Sequence, residues 1–327
     1  MERRPTTARQ LARLVEELSE IGLDWDGREP WHELAVAALD YARRPRTFEH
    51  RTPSFGAIVD PTTEPSSWEP TTGLRIEQRP LGGAWLDTAY LYADGIASWI
   101  ALDPGGRHAG LVFDRPAGSE RDLVVIAEAT GATIVQRHPG GLVRVVGTNG
   151  VHRWDGAEWQ HQPPLASWLE AIVAASCDVA DSADVLELLL EFALHDLAAR
   201  QIGATLVYRP DPHAPGREAR LPTPPPLDIR HPPDLAPIRH ALGQIDGATV
   251  FDSGGALREI GVRLVPSMTA ETEVPGLRGM RHTSARRYSA DDPGATVIVV
   301  SESGSVTVLR AGQIVGIAPG APPDDTD

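Results

Sequence analysis

The chain has 327 residues, 41% of them hydrophobic, with a formal net charge of −15 and a pI near 5.2. That length predicts two or three domains with ample cores, and the acidic balance excludes a general binder of nucleic acid or anionic membrane. All 30 basic residues are arginine, which excludes lysine nucleophiles, Schiff bases and Walker-type lysines. Phosphate chemistry therefore falls to arginine, histidine, backbone amides or a metal.

The lone Cys177 has no internal disulfide partner, and its apolar helical surroundings read as a small buried hydrophobe. No run approaches ~18 apolar residues, and the first ten residues lack an apolar signal region. The expectation is a soluble cytoplasmic protein with no membrane partner.

In chain order, Leu11, Leu14, Val15 and Leu18 recur at helical spacing, which predicts an amphipathic helix over Thr7–Ile21. A second helix is expected over Trp31–Tyr41. Short β segments follow: Phe55–Val59, Leu74–Gln78, Trp85–Tyr92, Ile96–Ala101, Gly110–Phe113, Leu123–Ala127, Thr133–Arg137, Leu142–Gly147 and Gly150–Trp154. Their spacing by glycine and proline turns predicts a sandwich or barrel-like sheet, with a hairpin at Asn149-Gly150. His108, His138, His152 and His161 have no metal-ligand spacing, and Asp155-Gly156 reads as a hairpin turn.

Pro163-Pro164 predicts a boundary. Helices are expected over Leu165–Ser176 and Ala183–Arg200, then a strand over Ala204–Tyr208. The proline-rich segment Pro210–Pro237 reads as a long loop carrying His213, Arg217, Arg220, Arg230 and His231. A short helix from Pro237 to Gly243 and strands over 246–252, 257–265, 296–301 and 305–309 complete a mixed sheet. The domains are expected at 1–48 (helical), 49–162 (β-rich), 163–319 (mixed sheet flanked by helices) and 320–327 (disordered acidic tail).

Chemistry concentrates between Ile245 and Arg310. Asp246-Gly247-Ala248, Gly279-Met280-Arg281-His282 and Ser301-Glu302 each fall at a strand edge or a helix start. Ligand sites of α/β sheets form beyond the carboxyl ends of strands, and that is where these clusters are expected. Asp246 suits a metal or a ribose hydroxyl, and Gly247 lets a ligand approach the backbone. Arg281 and His282 open a helix-like run through Ala290, where anions are favoured. Glu302 brings a second carboxylate. Together they suggest a site for metal and nucleotide phosphates.

These motifs resemble the diadenylate cyclase family, the DisA-type nucleotide-binding domain. The family's Asp-Gly-Ala, Gly-Thr-Arg-His-Arg-x-Ala and Ser-Glu motifs appear here, in order, as Asp246 to Ala248, Gly279 to Ala285 and Ser301-Glu302. The similarity spans roughly residues 165 to 318. Met280 and Thr283 stand where the family has threonine and a second arginine, and Arg286 or Arg287 is a candidate replacement for the missing charge.

The resemblance implies condensation of two ATP into cyclic di-AMP and two pyrophosphates by a face-to-face pair of domains, hence a homo-oligomer. It implies Asp246, Arg281 and His282 as catalytic residues. Gly247, Ala248, Gly279, Met280, Thr283, Ser284, Ser301 and Glu302 would bind nucleotide, and Asp246 and Glu302 would hold Mg2+ or Mn2+. Since such cyclases carry variable sensor domains, it also implies an unidentified small-molecule ligand for the β-rich half. Its strand aromatics, Trp85, Tyr90, Tyr92, Trp99, Trp154 and Trp159, are candidates for core or pocket. The alternative is a nucleotide-binding sensor of the same fold without catalysis.

Overall fold

A computed structural model describes residues 7–45, 47, 52–81, 88–174, 183–210, 217–218 and 224–318. Cys177, Trp85, His213, Arg220 and the acidic tail lie outside the described residues. The chain divides into two compact units, Met1–Pro164 and Leu165–Asp327.

In the N-terminal unit, helix α1 (Ala8–Glu20) is closed by a capping box in which Thr7 and Gln10 satisfy each other's backbone amides. Helix α2 (Pro30–Arg43) starts on proline, whose fixed φ suits a first helical turn. The strands are β1 (Phe55–Val59), β2 (Ile76–Pro80), β3 (Ser98–Leu102), β4 (Ala109–Phe113), β5 (Thr133–Arg137), β6 (Val143–Gly147), β7 (Gly150–Trp154) and β8 (Trp159–Gln162). Helix α3 (Glu69–Thr72) precedes β2, and helix α4 (Glu120–Thr130) lies between β4 and β5.

All eight strands form one sheet, ordered β2-β4-β3-β1-β5-β6-β7-β8, in which only β1 and β3 pair in parallel. Phe55, Ala57 and Val59 pack with α1 and α2, while Ile58 packs with α4 on the other face. The expected sandwich or barrel is therefore a single sheet covered by helices on both faces, and this explains why β1 is buried along its whole length.

Two elements depart from expectation for local reasons. Leu123–Ala127 is helical, because Ser119 and Asp122 form a capping box ahead of it and Gly131 ends it in the left-handed conformation. Its buried residues Leu123, Ile126, Ala127 and Thr130 follow the helical period that a short β reading overlooks. Of the expected strand Trp85–Tyr92, residues Ala89–Leu91 form a 3-10 turn and 82–87 lie outside the described residues.

The C-terminal unit opens with α5 (Leu165–Ala174) and α6 (Ala183–Glu191), which runs on as a π-helical stretch, Phe192–Leu197, and a 3-10 turn, Ala198–Arg200. Its strands are β9 (Ala204–Tyr208), β10 (Arg217–Glu218), β11 (Ala248–Phe251), β12 (Leu257–Leu264), β13 (Thr296–Val300), β14 (Val306–Arg310) and β15 (Gln313–Ala318). Helix α7 (Leu235–Leu242) precedes β11, while α8 (Met268–Glu273) and α9 (Met280–Asp291) fall between β12 and β13.

The mixed sheet has the order β10-β12-β11-β9-β13-β14-β15, with β9 parallel to β11 and antiparallel to β13. Alternation along β9 separates the two faces. Leu206 and Tyr208 join the core of α5, α6 and α7, whereas Val207 joins the smaller core with Ala285 and Tyr288 of α9. Thr205 shares the α9 face, and this face carries the site. No helix among the described residues is long and apolar enough to cross a membrane.

Candidate functional site

Gly203 immediately precedes β9, Asp246 and Gly247 precede β11, and Glu302 follows β13. These clusters thus meet at the amino ends of the parallel pair β9/β11 and the carboxyl end of antiparallel β13. The expected location beyond the carboxyl ends of parallel strands is corrected: the mixed sheet runs β13 the opposite way, which brings Glu302 to the starts of its neighbours.

Gly247 has φ +113°, and a Cβ there would stand 2.7 Å from the Gly261 carbonyl carbon of β12. Both the backbone conformation and the close approach demand glycine. Gly279, at φ +91°, turns the chain into α9 and aims that helix's first turn at the same space. A free helix start presents unpaired amides and favours anions.

The resulting cleft has a volume of about 760 Å3. Asp246, Gly247 and Ala248 with Thr205 form one wall; Gly279, Met280, Arg281, Thr283 and Ser284 form the facing wall. A smaller cleft of about 350 Å3 adjoins it, where Asp246 and Arg281 reappear beside Gly203, Gln244 and Glu302. Asp246 and Arg281 therefore border both spaces. Both volumes fall in the range of small-molecule sites.

Polar partners are scarce here. Among the described residues, the side chains of Asp246, Arg281, His282 and Glu302 make no hydrogen bond or ion pair. His282 is half-buried, and desolvation, then the neighbouring Arg281 charge, push its pKa below the ordinary histidine value. It is thus neutral at neutral pH.

Other predicted residues are committed elsewhere. The Thr283 hydroxyl donates to the Leu277 carbonyl (2.7 Å) and accepts from the Leu277 amide (3.0 Å), fastening the loop before α9. Ser284 bonds the Arg281 carbonyl at 3.1 Å. Ser301 lines neither cleft; its hydroxyl accepts from the Ser303 amide at 3.0 Å in the turn after β13. Met280 is 91% exposed at the rim. Of the two candidate replacement arginines, Arg286 donates to the carbonyls of Gly312 and Pro275. Arg287 lines the larger cleft, although its Nε holds the Val274 carbonyl. In the long loop, Arg230 pairs with Asp228 at 3.1 Å.

Sequence reasoning missed Gly203. A Cβ on it would lie 2.6 Å from Arg281 Nη1 and 2.9 Å from Glu302 Cγ, so its bareness lets both side chains converge. A glycine directly before a buried strand was the available signal. Glu271 of α8, Arg263 and Pro266, which also line the larger cleft, carried none.

This is a nucleotide-scale, glycine-lined site with unpaired charges at the start of a helix on a mixed α/β sheet. Residues 191–314 match the family model described as "DisA bacterial checkpoint controller nucleotide-binding" (DAC), and residues 12–163 match that described as "Probable sensor domain DACNK". The two matches have the layout expected from the sequence, a DisA-type nucleotide-binding domain in the C-terminal half behind a sensor-type domain in the N-terminal half. No curated protein matches. Among solved structures, one described as the hypothetical membrane spanning protein from Bacillus cereus is similar, at 17% identity over 46% of this chain and 78% of its own, with a TM-score of 0.30.

Proposed function

We propose that the chain is a diadenylate cyclase, which condenses two ATP into cyclic di-AMP and two pyrophosphates across two facing copies. The observation that carries this reading is the unpaired Asp246–Arg281 pair bordering both clefts, beside the free start of α9. In each half-reaction the 3′-oxygen of one nucleotide forms a bond to the α-phosphorus of the other. The bond from that phosphorus to the bridging oxygen breaks, pyrophosphate departs with the electron pair, and the proton of the 3′-hydroxyl is released to solvent.

The chain's part is positioning and charge stabilisation. Arg281 and the first-turn amides of α9 hold the phosphates against growing negative charge. Gly247 leaves room for the ribose at the backbone. Asp246 orients the attacking 3′-hydroxyl at the cleft wall.

Among the described residues no three His, Cys, Asp or Glu side chains gather into a metal site of their own. The donor set of Asp246 and Glu302 instead fits a cation shared with the nucleotide, since Mg2+ is ordinarily held by one or two carboxylates and substrate phosphates. Mg2+ or Mn2+ held there would lower the pKa of the 3′-hydroxyl and neutralise phosphate charge. Purified protein given ATP and Mn2+ is expected to yield cyclic di-AMP, and Asp246→Asn is expected to yield at least about a hundredfold less. Equal production by that variant would remove the catalytic reading.

One observation favours a second reading, a nucleotide sensor without turnover. The Thr283 hydroxyl is already occupied by Leu277, and Met280 supplies no hydrogen bond at the rim. Saturable ATP binding with no product under any metal would select that reading.

A further inference from the structure

In the N-terminal unit, α1, α2 and β7 enclose a cleft of about 380 Å3 that the cyclase reading leaves unused. Its charged lining consists of Arg13, Arg43 and Arg44 against Glu17 and Asp40, which leaves one net positive charge in a chain of net −15.

Both carboxylates are already engaged. Glu17 accepts from Arg43 Nη1 at 2.8 Å and from Trp159 Nε1 at 2.7 Å. Asp40, 3% exposed, is paired with Arg44. Arg43 is held in place, its guanidinium 4.4 Å above the Trp154 ring. Arg13 has no partner among the described residues, and the Gln10 carbonyl is occupied by the Thr7 amide while its amide donors remain open. Glu17 makes both of its bonds through Oε1, and the open donors of this cleft, on Arg13 and the Gln10 amide, accompany the fixed Arg43 guanidinium.

We infer that this cleft binds a small phosphate monoester, with Arg13 and Arg43 gripping the phosphate beside the Trp154 ring. A phosphate carries three acceptor oxygens, and arginine forks match it bidentately. The volume admits a metabolite of a few carbons with its phosphate. The inference rests only on the N-terminal unit, so it stands or falls apart from the cyclase reading.

The test is calorimetric titration of the full chain with glycerol 3-phosphate, repeated on Arg13→Ala, on Arg281→Ala and with citrate as the carboxylate arm. Arg13 is exposed and unpaired, so its replacement should leave the melting temperature unchanged. Saturable binding at millimolar or lower concentration is expected. Arg13→Ala should weaken it by about tenfold or more, while Arg281→Ala, which alters the nucleotide cleft, should leave it intact. No saturation, equal affinity in Arg13→Ala, loss in Arg281→Ala, or tighter binding of citrate would each overturn the inference.

Discussion

Two charge clusters, one in each unit, are used in opposite ways. In the N-terminal unit, Glu120 on the first turn of α4 is 1% exposed and pairs with Arg153 of β7 (Nε to Oε2, 2.7 Å) and Arg144 of β6 (3.5 Å). Arg153 also bonds Gln162, Arg144 bonds Gln136, and Gln136 bonds the carbonyls of Gly95 and Gly118. In the C-terminal unit, Asp246, Arg281 and Glu302 stand near one another, more exposed and without bonds among the described residues. The first arrangement consumes its charges to fix a helix on a sheet. The second leaves them for a ligand, and glycines at 203, 247 and 279 keep side-chain bulk out of the way.

Breaking the first set should be felt in stability. Removing one partner of a buried ion pair strands the other, at a cost of about 3–5 kcal/mol. Glu120→Gln is therefore expected to lower the unfolding free energy of the N-terminal unit by that order, measured by denaturant titration. A loss under about 1 kcal/mol would mean that α4 is held by its apolar face alone.

Breaking the second set should be felt in function. Asp246→Asn is expected to leave unfolding within about 0.5 kcal/mol of the parent. Product formation should fall by at least about a hundredfold. If the variant instead unfolds easily, Asp246 belongs with the structural charges and the contrast fails.

A pH titration sharpens the comparison. His152 stacks on His161 with ring centroids 4.2 Å apart, and its Nε2 bonds the Ile21 carbonyl at 3.0 Å. Burial first, then the His161 charge, lowers its pKa from 6.5 to about 4. The unfolded chain therefore takes up this proton before the folded one does. The stability it supports is complete above about pH 6.5 and is lost as pH falls toward 4, by roughly 3 kcal/mol. Melting of His152→Gln should depend less on pH across that window than melting of the parent.

The smallest effect concerns Gly203. Gly203→Ala is expected to push Arg281 aside and weaken nucleotide binding by about tenfold. In an Arg281→Ala background the same change should cost nothing further, a coupling that a general packing defect would not show.

The C-terminal half was the more legible in sequence because its motifs are local. Asp246-Gly247 and Gly279 to Ser284 each announce a turn or a helix start in consecutive residues, and β9 was expected with its observed bounds. The arrangement at the amino ends of β9 and β11 was not legible, because it depends on strand direction in the assembled sheet. Nor was Gly203, whose role appears only when Arg281 and Glu302 arrive from distant segments. In the N-terminal half, β1, β5 and β7 matched expectation, while α4 was read as a strand. Its five central residues are apolar enough for either, and the deciding signal lies just outside them, in Ser119, Asp122 and Gly131. β8 and β15 went unread because their short polar or glycine-broken runs become strands only through their partners.

The most direct test of the contrast between consumed and reserved charges is calorimetric binding of a non-hydrolysable ATP analogue with Mn2+ to the full chain. The account predicts one saturable site per chain, weakened by at least about tenfold in Arg281→Ala and unchanged in Arg153→Ala wherever that variant stays folded. Absence of saturable binding, or binding unaffected by loss of Arg281, would contradict it.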